Sequence, residues 1–236
     1  KEAFKDNPKF LRKYLYADWS ALDMINQLIS SEVIISSAER IENGLEVTSM
    51  GIDVARYGDD KTVFTILKNG NIELIESYEQ TSITEIVTRT IQLIHDYNID
   101  PNYVGIDSVG VGAGVVDNLK SAGYDVIELQ GGSKPEESQY EEAFLPFNLR
   151  SQMYYELRRD MMNGQIGNLT DETLKLELQS IQYEIYSDKK VKVISKEAIK
   201  KLLGRSPDYA DSLVYANWVK TYRGGIKWYM AISGGL

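Results

Sequence analysis

The sequence contains no cysteine and a single histidine, His95. Without thiols there is no disulfide framework, no zinc-thiolate centre and no cysteine nucleophile. One imidazole cannot build a histidine cluster, and His95 sits in a stretch of helical periodicity where an ordinary surface or boundary residue is expected. Any metal would therefore be held by oxygen ligands, which points to magnesium or manganese. No apolar run is long enough to span a bilayer, so no membrane partner is expected, and the charged opening Lys1-Glu2-Ala3-Phe4-Lys5 does not read as a signal peptide. The chain opens on Lys1 instead of Met, as expected of a piece of a longer protein. No GxxxxGK[ST] phosphate-binding loop occurs. Positive charge is also scarce: 26 Lys and Arg against 35 Asp and Glu leave a net charge of −9. That balance argues against tight nonspecific nucleic-acid binding by this chain alone, because such affinity rests on neutralising phosphates.

What is present suits one good-sized globular domain with a small N-terminal appendage: 236 residues, 43% hydrophobic and 26% charged. Residues 1–43 have a helical pattern, with one helix from Asn7-Pro8 through Tyr14. A second, capped by Ser20, carries Leu22, Ile25, Leu28 and Ile29. Three strands follow over residues 47–55, 61–68 and 71–79, the last two joined by Asn69-Gly70, a strong hairpin signal. The pattern then alternates. A Ser82-capped helix runs to Tyr97, a strand covers 102–108, a glycine-rich turn (Gly110, Gly112, Gly114) opens a helix closed by Gly123, and a strand covers 124–129. A polar loop (131–142) precedes helices capped by Asn148 and by Thr170 or Asp171. A small hairpin over 183–194 and a Ser195-capped helix ending near Gly204 come next, and Ser206-Pro207 opens the last long helix.

A parallel strand reached through one helical crossover normally lies in the same sheet as its predecessor. The element order is that of the ribonuclease H-like fold: α/β, with a mixed five-stranded sheet in the order 3-2-1-4-5, flanking helices, the small hairpin and N-terminal helices. The first and fourth strands both end in Gly-Ile-Asp, at Asp53 and Asp107. Side by side, they would bring two carboxylates together, a costly arrangement unless a cation meets them. Asp208 and Asp211, three residues apart on one face of the last helix, add two more candidates. The helix dipole alone accounts for Asp208, so Asp211 is preferred as third ligand and Asp208 is its alternative. Such a set suits two divalent ions, one activating a water and the other stabilising a leaving oxygen. Asp53 would bridge both ions, Asp107 hold one and Asp211 complete the other.

Weaker signals surround this set. Arg56, Asp59 and Asp60 read as solvated loop charge near the site, and Glu85 is a further ligand candidate. The Gly110–Gly114 turn fits either close approach to a phosphate or an ordinary tight turn. Lys196, Lys200, Lys201 and Arg205, with Lys134 in the polar loop, are the natural phosphate contacts if the acidic cleft holds metals.

The stretches GIDVARYGDDKT, GIDSVGVGAGV and GRSPDYADSL together resemble the C-terminal nuclease domain of the large terminase subunit of tailed bacteriophages, over roughly residues 47–218. The resemblance implies a metal-dependent endonuclease that cuts concatemeric double-stranded viral DNA during packaging, in the cytoplasm of the infected bacterium. Asp53, Asp107 and Asp211 match the family's three acidic metal-binding positions. An upstream packaging ATPase in the full-length protein, a small terminase subunit and a portal are the implied partners, and the Gly131–Phe147 region falls where the family carries a regulatory hairpin or loop near the cleft. Residues 1–45 would then be a helical lead-in and 46–236 the nuclease domain. Two other readings start from the same residues. An actin- or sugar-kinase-like phosphotransferase shares the strand order, but Asp53 is followed by Val where that family has Gly. A catalytically silent viral assembly module would show no response to metal.

Overall fold

The computed structural model describes residues 26–42, 46–55, 60–136, 145–186, 190–223 and 226–227. At its centre lies a five-stranded sheet in the order β3-β2-β1-β4-β5. β1 (Thr48–Asp53), β2 (Lys61–Lys68) and β3 (Asn71–Glu79) are successively antiparallel. Asn69 and Gly70 both hold positive φ, 53° and 79°, as a tight two-residue hairpin turn requires. The chain then crosses through α2 (Ile83–Asp96) to β4 (Val104–Asp107), parallel to β1, and through α3 (Val111–Ser121) to β5 (Ile127–Leu129), parallel to β4. The expected order is therefore the observed one. Gly51 pairs with Gly105 and Ile52 with Ile106, which makes the two Gly-Ile-Asp strands direct neighbours in matching register.

The helices begin where side chains satisfy their first amides. Ser82 accepts from the Glu85 amide while the Glu85 carboxylate accepts from Ser82, a capping box that occupies the residue weighed as an extra ligand. Asn148, Asp171 and Ser195 cap α4 (Leu149–Met162), α5 (Glu172–Ser180) and α6 (Lys196–Leu203). Gly204, at φ 77°, closes α6 in the left-handed conformation. α7 (Asp208–Thr221) follows Pro207.

The sheet separates two cores. α2 and α3 cover one face with Ile86, Leu93, Val115 and Leu119 against Met50, Ile52, Val104 and Ile106. The larger core holds α4, α5, α6 and α7 on the other face. α7 is buried almost all round, the pattern of a helix packed between layers. It can lie so close to the sheet because Gly51 and Gly105 have no side chains: a Cβ on Gly51 would collide with the Ser212 carbonyl and the Ala216 amide, and one on Gly105 would press on Val219 and Leu129.

Three features depart from expectation. Leu28 and Ile29 are not in a Ser20-capped helix; Gln27 bridges to Gln182, and the helix is α1 (Ser31–Ser36), capped by Ser30. Leu28, Ile29 and Ile34 are nevertheless buried in the larger core, so their apolar spacing reflects tertiary packing. β7 (Tyr183–Ile185) and β8 (Lys190–Val193) form the expected hairpin, but β6 (Leu145–Pro146) adds a third strand parallel to β8. A short β9 (Tyr222–Arg223) and β10 (Ile226–Lys227) pair after α7. The helix expected after Asn7-Pro8, the start of the Ser20-capped one, the loop residues Arg56 and Asp59, the second half of the polar loop and the tip of the hairpin lie outside the described residues. Among the described residues, no helix is long and apolar enough to cross a membrane.

Candidate active site

Four carboxylates from three elements meet at the carboxyl ends of β1 and β4. Asp53 closes β1 and is buried; Asp107 closes β4 and is half-buried. Asp208 and Asp211 descend from the first turn of α7, both buried. The glycine-floored contact between α7 and the sheet is what sets the latter two over the former two.

Lys196, the first residue of α6, points into this group. Its ammonium lies 3.1 and 2.9 Å from the two Asp53 oxygens, 3.2 Å from Asp211 Oδ2 and 3.8 Å from Asp208 Oδ1. A built-in cation thus balances part of the acidic charge. Among the described residues, no three carboxylates stand together as a ready metal cage; the ammonium takes the central position. Asp211 is the most constrained of the four. Arg150 donates to its Oδ1 at 2.9 Å and the Tyr154 hydroxyl at 2.7 Å, and the Arg150 guanidinium also stacks on the Tyr154 ring at 4.7 Å. Asp208 Oδ2 accepts from the Lys61 amide at 3.0 Å. Asp107 accepts from the Val109 amide, and Tyr215 on α7 lies close enough to act on its charge.

The electrostatics separate these groups. Burial pushes the Asp53 carboxyl well above the ordinary carboxylate range; Lys196 offsets part of this, and Asp211, Asp208 and Asp107 add to it. Asp107 is also raised by burial, against the Val109 amide and Lys196. Burial acts on Asp211 in the same sense, yet Arg150, Lys196 and Tyr154 outweigh it and hold this carboxylate below its usual range. Burial alone would lower Lys196, but Asp53, Asp211 and Asp208 hold it well above its usual range, so it is an ammonium throughout the neutral region. A cation-hungry Asp53 therefore lies beside an Asp211 fixed in its ionised form.

Of the other expected cations, Lys200 pairs with Asp60 at 2.7 Å, and Arg205 pairs with buried Glu177 at 3.2 Å. Lys201 and Lys134 are exposed. His95 is an exposed residue hydrogen-bonded to the Tyr124 hydroxyl. The glycine-rich turn is explained by packing: Gly110 takes φ 72°, and a Cβ on Gly112 would strike the Asp107 carbonyl. Arg150, Tyr154 and Tyr215 escaped the sequence reading. Arg150 and Tyr154 are four apart on α4, as Asp211 and Tyr215 are on α7, so each pair shares a helix face; no motif marks either pair, and only the packing of α4 on α7 gives them a role.

No family model matches the sequence, and no curated protein matches it either. Solved structures do. The nuclease domain of the large terminase subunit of bacterial virus Sf6 superposes with a TM-score of 0.68 at 20% identity, covering 80% of this chain and 97% of that one. The fold is that of the large terminase nuclease domains. A second terminase nuclease, from thermophilic phage G20c with bound magnesium, has a TM-score of 0.55 at 20% identity, covering 83% of this chain and 98% of that one. A variant of the Sf6 terminase nuclease solved with manganese gives 0.67 at 19% identity, covering 80% and 98%.

Proposed function

We propose that this chain is a divalent-metal-dependent endonuclease of the large-terminase type, cutting concatemeric viral DNA as packaging starts and ends. The observation that carries the reading is the convergence of Asp53, Asp208 and Asp211 on one cation, the Lys196 ammonium, with Asp107 closing the neighbouring parallel strand, in a terminase-nuclease fold.

The residues fit a hard divalent ion. The donor set is all carboxylate, the buried Asp211 Oδ2 faces the Lys196 ammonium at 3.2 Å, and that ammonium already marks a cation position. Magnesium needs only one or two protein carboxylates, with water and substrate phosphate supplying the rest. Asp53, Asp107 and Asp211 would hold the ions, with Asp208 as the alternative to Asp211. Bound there, a pair of ions would supply an activated water and stabilise the leaving oxygen; the Sf6 and G20c neighbours were solved with manganese and with magnesium.

The protein groups divide the remaining work. Arg150 and Tyr154 keep Asp211 ionised and fixed in orientation, and the Tyr215 hydroxyl offsets a small part of the burial that raises Asp107. Lys196 holds the acidic cluster together and, were its place taken by an ion, would be free to turn toward a phosphate. Lys200, Lys201, Arg205 and Lys134 are the further phosphate contacts in this reading. Residues 46–236 form the nuclease unit, with 1–45 as its lead-in. The packaging ATPase of the full-length protein, which would hold the DNA, offsets the acidic balance of this chain. The small terminase subunit and portal are its partners in the cytoplasm of the infected bacterium.

The test is cleavage of supercoiled plasmid with manganese. Cutting that a chelator abolishes and Asp53→Asn removes is the expected result; robust cutting by the Asn variant rejects the assignment.

A further inference from the structure

The outer face of the small β6-β8-β7 sheet carries an aromatic and cationic cluster that the acidic site does not use. The pairing of Leu145 with Lys190 and of Glu184 with Lys192 sets one face of this sheet. The opposite face turns Val191 and Val193 into the protein, where both are buried. On the outer face the Phe147 and Tyr186 rings meet at 4.8 Å, and the Lys192 ammonium lies over both, 5.1 and 5.4 Å from their centres. Tyr186 is 47% exposed and Phe147 36%. Two rings and an ammonium are thus held as one unit at the surface, with Glu184 3.6 Å from Lys192 as its acidic neighbour.

Two short stretches of chain join this unit to residues of the acidic cluster. Phe147 stands three residues before Arg150, which grips Asp211, and Lys192 stands four before Lys196, which grips Asp53. The sheet is fastened to α4 by the Val193 amide, which donates to Ser151 Oγ at 3.0 Å. Protein interfaces are depleted of lysine, whereas here a lysine occupies the middle of the apolar patch. Aromatic faces beside positive charge are the chemistry by which proteins hold nucleic-acid strands, and this positive unit stands out on a chain of net charge −9.

We propose that this face is a nucleic-acid contact surface. Lys192 and Lys190 take phosphates of the strand that leads into the acidic cluster, while Phe147 and Tyr186 pack against its sugars and bases. The inference rests on the nuclease reading for the identity of the strand.

The test is fluorescence anisotropy of labelled single-stranded and duplex oligonucleotides in chelator, where nothing is cut. Phe147→Ala/Tyr186→Ala is expected to weaken binding by roughly tenfold to a hundredfold, the range of one stacked base or a little more. Lys192→Ala is expected to lower the slope of log affinity against log salt by about one. A larger loss on the single strand identifies base stacking, and an equal loss on both identifies packing against the sugars. A Phe147→Leu/Tyr186→Leu variant, apolar but ringless, should share the loss. Parental affinity in both double variants, with melting temperatures unchanged, would overturn the proposal. So would a parent protein that binds neither oligonucleotide, or variants that lose self-association in sedimentation and keep DNA affinity. The two readings fail separately. Manganese-driven cutting that ignores Asp53→Asn removes the nuclease assignment, whereas intact binding by the double variants alongside Asp53-dependent cutting removes only this surface.

Discussion

At the residue scale, the placement of Lys196 sets what its loss should do. Its ammonium is the nearest cation to Asp53 and joins Arg150 on Asp211, so Lys196→Ala leaves buried carboxylates facing one another. Breaking a dry pair costs about 3 to 5 kcal/mol; with a third of the Lys196 side chain exposed, about 2 kcal/mol is expected. Thermal melting in chelator should drop accordingly, and added manganese should recover most of the loss. A loss that manganese cannot reverse would mean that the lysine does not stand in for an ion. Glu177 gives a second residue-level expectation. It is buried, accepts from the Ala210 amide at 2.9 Å and faces Arg205, and burial pushes its carboxyl up to about 8. A carboxylate whose folded value is raised takes up its proton more readily folded than unfolded, so its contribution is whole below the ordinary value near 4.5 and is lost as pH rises towards 8. Glu177→Gln, which keeps the acceptor for Ala210, should therefore melt increasingly well relative to the parent between those values. A pH-independent difference would contradict the burial.

At the element scale, the contact between α7 and the sheet decides whether the acidic cluster exists. Gly51 and Gly105 are paired across β1 and β4, and a Cβ on Gly51 meets the backbone of α7, which cannot yield as a side chain can. Gly51→Ala should cost about 3 kcal/mol or more, at the upper end of overpacking, and should displace Asp208 and Asp211 from Asp53. Denaturant unfolding measures the first effect, and lost metal-induced stabilisation in the surviving folded fraction measures the second. The repeated Gly-Ile-Asp was visible in the sequence for its aspartates, but its glycines mattered as much, and that follows only once α7 is known to lie on them. Strand order was legible because three antiparallel strands and two crossovers leave few topologies. Caps at Ser82, Asn148 and Ser195 were legible because they are local chemistry, and Asp171 was one of two adjacent candidates. Leu28 and Ile29 misled, since apolar spacing reports burial and not the backbone that achieves it. Arg150, Tyr154 and β6 were not legible, for each acquires its role from a neighbour distant in sequence.

At the scale of the whole molecule, the acidic cluster lies where both cores and the central sheet converge, so its charge state is coupled to the stability of everything around it. Burial raises Asp53 and Asp107, and their folded carboxyls bind protons more tightly than unfolded ones do. The ion-free protein therefore loses stability as pH climbs from the ordinary carboxylate value through the raised ones. A divalent ion competes with those protons, so its affinity should increase over the same interval and its binding should release protons. At a hundredfold excess over its dissociation constant, an ion adds about 2.7 kcal/mol to the folded state, and at roughly 2 to 4 °C per kcal/mol for a chain of this size the melting temperature should climb by roughly 5 to 10 °C. The shift should grow as pH rises from the ordinary carboxylate value through the raised ones and should vanish in Asp53→Asn. Calorimetry in two buffers of different ionisation enthalpy would count the protons released. A manganese shift that does not change with pH over that interval, or that survives Asp53→Asn, would mean that the ion binds outside the cluster, because the raised carboxyls there tie its affinity to protons in this direction.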